Sequence, residues 1–326
     1  MYERFYGLDA RPFDLTPDLR YLFLTPGHGE ALAHLEYGLS GRKGITVLTG
    51  EVGTGKTTLL RAALEHMKGT AVRVAHLSNP TLTRGEFYEF LAAEFRLSEA
   101  AAQSKARFLL ELTELVQRHH ESGGVTAIVI DEAQSLPVEL LEEIRLLANL
   151  ETNEVKLMQV VLVGQPELGE RLNQPELRQL KQRIALRCVL APMSLQETAD
   201  YIAGRIRIAG GDAPRLFTRE AVSEIHSRAR GLPRLVSVIC DNALVTGFAG
   251  GVWRIDRAIV LDVCRDFDFL NPPVPMPVVG ESSPSNGAPS PDRTATADAK
   301  PLAEERIEVA GHRRFSLFSS LRSGSR

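Results

Sequence analysis

The chain has 326 residues, 44% of them hydrophobic and 24% charged, and 38 basic against 41 acidic side chains leave a net charge of −3; that allows one large core or two smaller ones and gives no overall signature of a nucleic-acid binder, leaving open only a local basic face. Cys188, Cys240 and Cys264 are odd in number, far apart and without C-x-x-C spacing, which indicates neither a disulfide framework nor a zinc site and fits a reducing cytosol. No apolar run approaches the roughly 18 residues of a membrane span, and Met1-Tyr2-Glu3-Arg4-Phe5 lacks the apolar stretch of a secretory leader, so a cytoplasmic location is expected.

Aromatics alternate with prolines at the start: Phe5-Tyr6-Gly7-Leu8, Pro12-Phe13, Thr16-Pro17-Asp18 and Tyr21-Leu22-Phe23-Leu24. Exposed aromatics are costly, so this segment is expected as an extended strap packed on a domain. A helix follows from His28, with Leu32, Leu35 and Leu39 on one face. Next comes the apolar run Ile45–Thr49, then Gly50-Glu51-Val52-Gly53-Thr54-Gly55-Lys56-Thr57-Thr58, then a helical pattern of Leu59, Leu60, Ala63, Leu64 and Met67. The GxxxxGK[ST] spacing between a strand and a helix is that of a phosphate-binding loop. Its glycines permit positive φ, so that successive amides face an anion, and the helix start adds a positive dipole end.

Further along, residues 71–77 alternate like a strand and two amphipathic helices follow, marked by Phe87, Phe90 and Leu91 and by Phe108, Leu109, Leu112, Leu115 and Val116. The unbroken run Val125–Ile130, ending in Asp131-Glu132, reads as a doubly buried parallel strand whose carboxyl end places a ligand. A helix after Pro137 precedes a fourth strand over residues 157–163, closed by Gly164-Gln165-Pro166. A basic helical stretch over 177–184 leads to a last short strand around Arg187 to Leu190. This alternation predicts a five-stranded parallel sheet with helices on both faces.

From Ser194 the pattern becomes all-helical, opened by the capping box Ser194-Leu195-Gln196-Glu197. Beyond Leu270 composition shifts: eight of the eighteen prolines fall between Pro272 and Pro301, which predicts disorder. Four segments result: a strap and helix packed on the core (1–43), an α/β nucleotide-binding domain (44–192), a helical lid (193–270) and a Pro/Ser/Ala-rich tail (271–326). The tail ends in Arg313-Arg314-Phe315-Ser316-Leu317-Phe318 through Arg322. Either this is a frayed end, or Leu317, Phe318 and Leu321 form an arginine-rimmed face for an anionic membrane or a partner.

The site residues follow from the loop. Lys56 is placed along the β- and γ-phosphates of ATP, and the Thr57 hydroxyl and Asp131 on Mg²⁺. Glu132 is the base that takes a proton from the attacking water; the alternative is that both acids merely cap the following helix. Gln165 either orients that water or is simple turn chemistry before Pro166. The basic stretch with Arg178, Arg183 and Arg187 is either an ordinary solvated helix face or the source of an arginine, Arg183 by choice, that reaches a neighbouring subunit's nucleotide. Arg234, after Gly231-Leu232-Pro233, reaches from the lid towards the γ-phosphate.

These motifs, together with Leu15-Thr16-Pro17-Asp18, Ile130-Asp131-Glu132-Ala133-Gln134, Val163-Gly164-Gln165-Pro166-Glu167-Leu168 and Gln182-Arg183-Ile184, resemble the AAA+ ATPases of the general secretion pathway protein A (ExeA-like) family over about Met1 to Arg265. The resemblance implies a P-loop AAA+ domain with a helical lid, ATP and Mg²⁺ between them, and assembly into a homo-oligomer. It implies Walker roles for Lys56, Thr57, Asp131 and Glu132, the first sensor at Gln165, the arginine finger at Arg183 and the second sensor at Arg234. It also implies a protein partner in a secretion or envelope/exopolysaccharide export system. Family members acting at the envelope carry a membrane span and a peptidoglycan-binding module after the lid. Here only the tail follows, so a peripheral contact at the inner membrane is expected. The rival expectation, from a different class, is a DNA-binding ATP switch resembling transposition regulators of the TniB and TnsC type.

Overall fold

Five short apolar runs form five parallel strands: β1 (Ile45–Gly50), β2 (Val72–Leu77), β3 (Val125–Ile130), β4 (Met158–Gly164) and β5 (Ile184–Leu190). Their order is β2-β3-β4-β1-β5, with every neighbour parallel. The computed structural model describes residues 1–14, 19–78 and 80–267. The expectations for Leu15–Asp18 and for the tail from 271, with its arginine-rimmed end, lie outside the described residues.

Burial follows position in the sheet. β1 and β4 are buried at every residue, whereas the edge strand β5 alternates, as expected where one flank meets water. Because strand side chains alternate in direction, each central strand feeds two cores. Ile45, Val47, Val160 and Leu162 face one cluster, packed with helices Arg84–Phe95, Lys105–Glu121 and Val138–Leu147. Leu48, Val129, Val161 and Val163 face the other, packed with helices Pro26–Ser40 and Lys56–His66.

Register then brings three chain ends together. Thr49 pairs with Gly164 and Ile130 with Leu162, so the residues after β1, β3 and β4 leave the sheet on one edge. That edge carries the phosphate loop, Asp131-Glu132 and Gln165.

After β5 the chain forms helices Leu195–Ile208, Arg219–Ala229, Pro233–Ala249 and Arg257–Asp266 around a third core. Their starts are legible in sequence: Ser194 and Glu197 form a reciprocal capping box, Thr218 and Asp256 cap through their side chains, and Pro233 sits in a first turn.

The amino-terminal strap requires a correction. Tyr2, Tyr6, Leu8 and Phe13 pack with Ile202, Ile239 and Leu244 of these last helices, not on the sheet. The Tyr6 hydroxyl is 3.2 Å from the Leu244 carbonyl and 3.1 Å from the Val252 carbonyl. The helix Pro26–Ser40 lies on the sheet, joined there by Leu19 and Leu22 from the end of the strap. It starts at Pro26, two residues before the expected His28, because the Thr25 hydroxyl accepts from the His28 amide at 3.2 Å and caps the helix. The basic stretch is also shorter as a helix than its charge pattern suggested. Arg178–Lys181 makes one turn, and β5 begins at Ile184, three residues before the expected Arg187.

Candidate functional site

The phosphate loop is set by its two ends. A buried central strand delivers Gly50, where an added Cβ would stand 2.8 Å from the Leu190 carbonyl oxygen and 3.0 Å from Thr54 Oγ1. Gly53 (φ 85°) and Gly55 (φ 98°) adopt the left-handed conformation that glycine tolerates. Between them Thr54 is fully buried, its amide and hydroxyl both donating to the Glu51 carbonyl, at 3.2 and 2.8 Å. The helix Lys56–His66 begins at Gly55 with no side-chain cap. Its first amides therefore have no side-chain partner, unlike those of the helices capped by Thr25, Thr83, Ser194 and Thr218, and such a start can bind an anion.

Lys56 is 6% exposed, and its ammonium donates to the Gly50 and Glu51 carbonyls at 2.7 and 3.0 Å. Burial lowers its pKa, while the carboxylates of Glu132, Asp131 and Glu51 oppose that shift. The next residue, Thr57, donates its hydroxyl to Asp131 Oδ2 at 2.8 Å, and Asp131 is itself buried. Two hard oxygen donors side by side at the mouth of a phosphate loop suit Mg²⁺, which prefers oxygen ligands. An uncapped helix start beside a buried ammonium suits the anionic chain of a nucleotide. The residues present thus fit both groups.

Glu132 departs from Asp131 in direction because its backbone is left-handed (φ 53°), a conformation that bulky residues keep only where surrounding structure enforces it. Its amide donates to Asp131 Oδ1 at 2.9 Å, and its Oε2 accepts from Gln134 Nε2 at 2.6 Å and Gln165 Nε2 at 3.3 Å. Gln134 also ties the ends of β3 and β4 together: its Oε1 accepts from the Gln165 amide at 3.0 Å, and its carbonyl accepts from Arg171. Neither glutamine role is visible from periodicity, although Gln134 lies two residues from the acid it holds.

A cavity of about 400 Å³ opens over these groups, in the size range of small-molecule sites. Val52, Gly53, Gly55, Lys56, Thr57, Thr58, Glu132, Gln165 and Arg234 all line it. Gly50, Glu51 and Thr54 shape the loop from behind. The Arg234 amide donates to the Gly53 carbonyl at 3.2 Å, which joins the lid helix Pro233–Ala249 to the loop. Arg183 is exposed just before β5 and does not line this cavity.

Sequence reasoning missed the opposite wall. Arg205, on the helix Leu195–Ile208, donates to the Pro12 carbonyl, to the Asp14 carbonyl at 3.2 Å and to the Tyr201 hydroxyl at 2.6 Å. Its guanidinium also lies 4.9 Å from the Tyr21 ring centre. This staple holds the strap against the lid, with Tyr21, Tyr201, Arg205 and Ser237 lining the cavity. A partner 191 positions away leaves no local signal.

The five-stranded parallel sheet, its phosphate loop and the acidic end of β3 define a P-loop fold of AAA type. Residues 39–172 match the AAA domain family. Beyond that class, the chain is similar to general secretion pathway protein A of Aeromonas hydrophila, with 44% identity over 259 residues, 78% of this chain. It spans 46% of that relative's length. Among solved structures, ORC2 of Aeropyrum pernix in its ADPNP-ADP complexes superposes with a TM-score of 0.56 at 20% identity, covering 79% of this chain and 72% of that one. Cdc6p of Pyrobaculum aerophilum gives 0.57 at 18% identity, covering 78% and 70%. At those identities the likeness shows the fold alone. Among the described residues no helix is long and apolar enough to cross a membrane.

Proposed function

We propose that this chain binds and hydrolyses ATP with Mg²⁺, and that the cycle drives or regulates assembly of a secretion or envelope/exopolysaccharide export system. The observation that carries the ATPase reading is convergence: Lys56, Thr57, Glu132, Gln165 and Arg234 come from four separate elements and line one cavity. The similarity to general secretion pathway protein A supports the destination.

In this reading the loop amides and the Lys56 ammonium hold the phosphate chain, while Thr57 and Asp131 supply the oxygens for the metal. When held there, Mg²⁺ would supply neutralisation of the charge on the phosphate oxygens. Glu132 accepts the proton of the attacking water, and Gln134 and Gln165 fix the carboxylate that does so. Arg234 brings lid charge to the same cavity. Arg183, exposed and outside its own cavity, serves a neighbouring copy in a homo-oligomer, where a guanidinium stabilises the charge that builds during phosphoryl transfer. The protein works in the cytoplasm or at the inner-membrane surface, through a partner protein or through its tail.

Equilibrium titration with ATP in the presence of Mg²⁺, together with light scattering, tests the proposal. The parent is expected to saturate and to grow in mass, and Lys56→Ala to lose at least about tenfold in affinity, as expected for removing a charge-assisted contact. A Lys56→Ala protein that binds as tightly as the parent contradicts the site.

A further inference from the structure

Beside the phosphate loop stands a side chain that does not line the cavity and that the proposed chemistry does not use. His28, on the first turn of the helix Pro26–Ser40, is 5% exposed and reaches across the sheet edge to the loop. One ring nitrogen, Nε2, lies 3.0 Å from the Thr54 carbonyl oxygen, and the other, Nδ1, lies 2.7 Å from the Thr25 hydroxyl. We infer that His28 is a positioning residue for the phosphate loop, holding it in its anion-receiving shape before any nucleotide arrives. The inference rests on the nucleotide-binding reading for its functional consequence only.

The hydrogen-bond roles follow from the partners. A carbonyl oxygen only accepts, so Nε2 carries the proton and donates to Thr54. In the neutral ring Nδ1 then accepts, and the Thr25 hydroxyl donates to it while its oxygen accepts the His28 main-chain N–H. The Thr54 carbonyl thereby fixes the tautomer, the residue that caps the helix completes it, and each polar atom of the chain from His28 N to Thr54 O has a partner. All three residues are at most 6% exposed, so water does not readily replace a lost bond.

Location gives the contact its effect. Thr54 lies between the two positive-φ glycines, and its other polar groups bond within the loop to Glu51. Lys56 likewise bonds to loop carbonyls, at Gly50 and Glu51. The His28 ring is thus a side-chain brace from outside the loop. His28 also borders a small cavity with Tyr21, Met193, Tyr201 and Pro233, where strap, loop and lid meet. Loop shape is therefore tied to the element that carries the strap.

The test uses the full chain in three forms: parent, His28→Phe, which keeps the ring but no donor, and His28→Gln, whose amide nitrogen replaces Nε2. Hydrogen exchange in nucleotide-free protein is expected to rise about tenfold over residues 51–57 in His28→Phe, with β1 and β4 unchanged, and to return towards the parent in His28→Gln. Titration with ADP and Mg²⁺ is expected to show a loss of about five- to tenfold in His28→Phe and recovery in His28→Gln, since a loop no longer preorganised must be ordered on binding. Thr25→Ala, which keeps the ring but frees its orientation, is expected to show the same changes in smaller degree, and it decides the matter if His28→Phe does not fold. Unchanged exchange over 51–57 overturns the inference, as does failure of His28→Gln to restore it. If the parent itself does not bind ADP, the nucleotide reading fails instead, and the exchange measurement still judges His28.

Discussion

Thr57 and Asp131, 74 residues apart in sequence, share a hydrogen bond of 2.8 Å from hydroxyl to Oδ2. The bond joins the first turn of the helix after the phosphate loop to the end of β3, with β4 lying between β1 and β3 in the sheet. It brings together the two oxygens assigned to the metal.

Removing either oxygen should therefore act through the metal. Thr57→Val and Asp131→Asn are expected to cut ATP turnover by at least about 100-fold, the scale for losing a preorganised electrostatic contact. Binding of ADP without divalent ion should change far less. Titrations with and without Mg²⁺ check this, and an equal loss in both conditions contradicts the assignment.

Gly53 tests the loop's backbone. At φ 85° an L side chain is strained, and its Cβ would lie 3.0 Å from Arg234 Cβ. Gly53→Ala is expected to cost about 1–3 kcal/mol of stability and to weaken nucleotide binding. Thermal melting with and without ADP measures both, and an unchanged melting temperature would falsify the claim that loop and lid are in close contact here.

Much of this site was legible because its chemistry is local. Gly50 to Thr58 is one contiguous motif, Asp131-Glu132 terminates an unbroken apolar strand, and Gln165 follows another. The alternation of apolar strands and amphipathic helices likewise carries the sheet. What stayed hidden depends on contacts between distant side chains. Aromatic content showed that Tyr6 must be buried, but not that Leu244 and Val252 would receive its hydroxyl. The part played by Arg205 left no sign in the sequence, and His28 marked only a helix start, since neither the strap nor the loop carbonyl leaves a mark in periodicity. β5 began earlier than expected because an edge strand's alternation of Ile184, Leu186 and Cys188 with exposed Ala185, Arg187 and Val189 resembles the basic helix before it.

Away from the site, Glu143 sets an acid-side stability limit. It is buried on the helix Val138–Leu147, where Lys105 donates to both its oxygens at 2.7 Å, Arg84 lies at 3.2 Å and the Tyr88 hydroxyl donates to it. Burial alone raises its pKa, but Lys105, Tyr88 and Arg84 outweigh that and hold it below the usual value. A depressed folded pKa means stability that is complete above the unfolded value of about 4.3 and lost as pH falls through the folded one. Glu143→Gln is expected to cost about 1–2 kcal/mol near neutrality, since Lys105 and Arg84 are half exposed. The gap to the parent should stay level from pH 8 to about pH 5 and shrink below about pH 4 in denaturant melts.

The central claim is that Glu132 takes the proton from water in a cavity that binds ATP through other groups. Steady-state phosphate release by parent and Glu132→Gln, each with ATP affinity measured alongside, tests it most directly. The account predicts a fall in turnover of about 100- to 10,000-fold with affinity retained. Turnover by Glu132→Gln equal to that of the parent contradicts it.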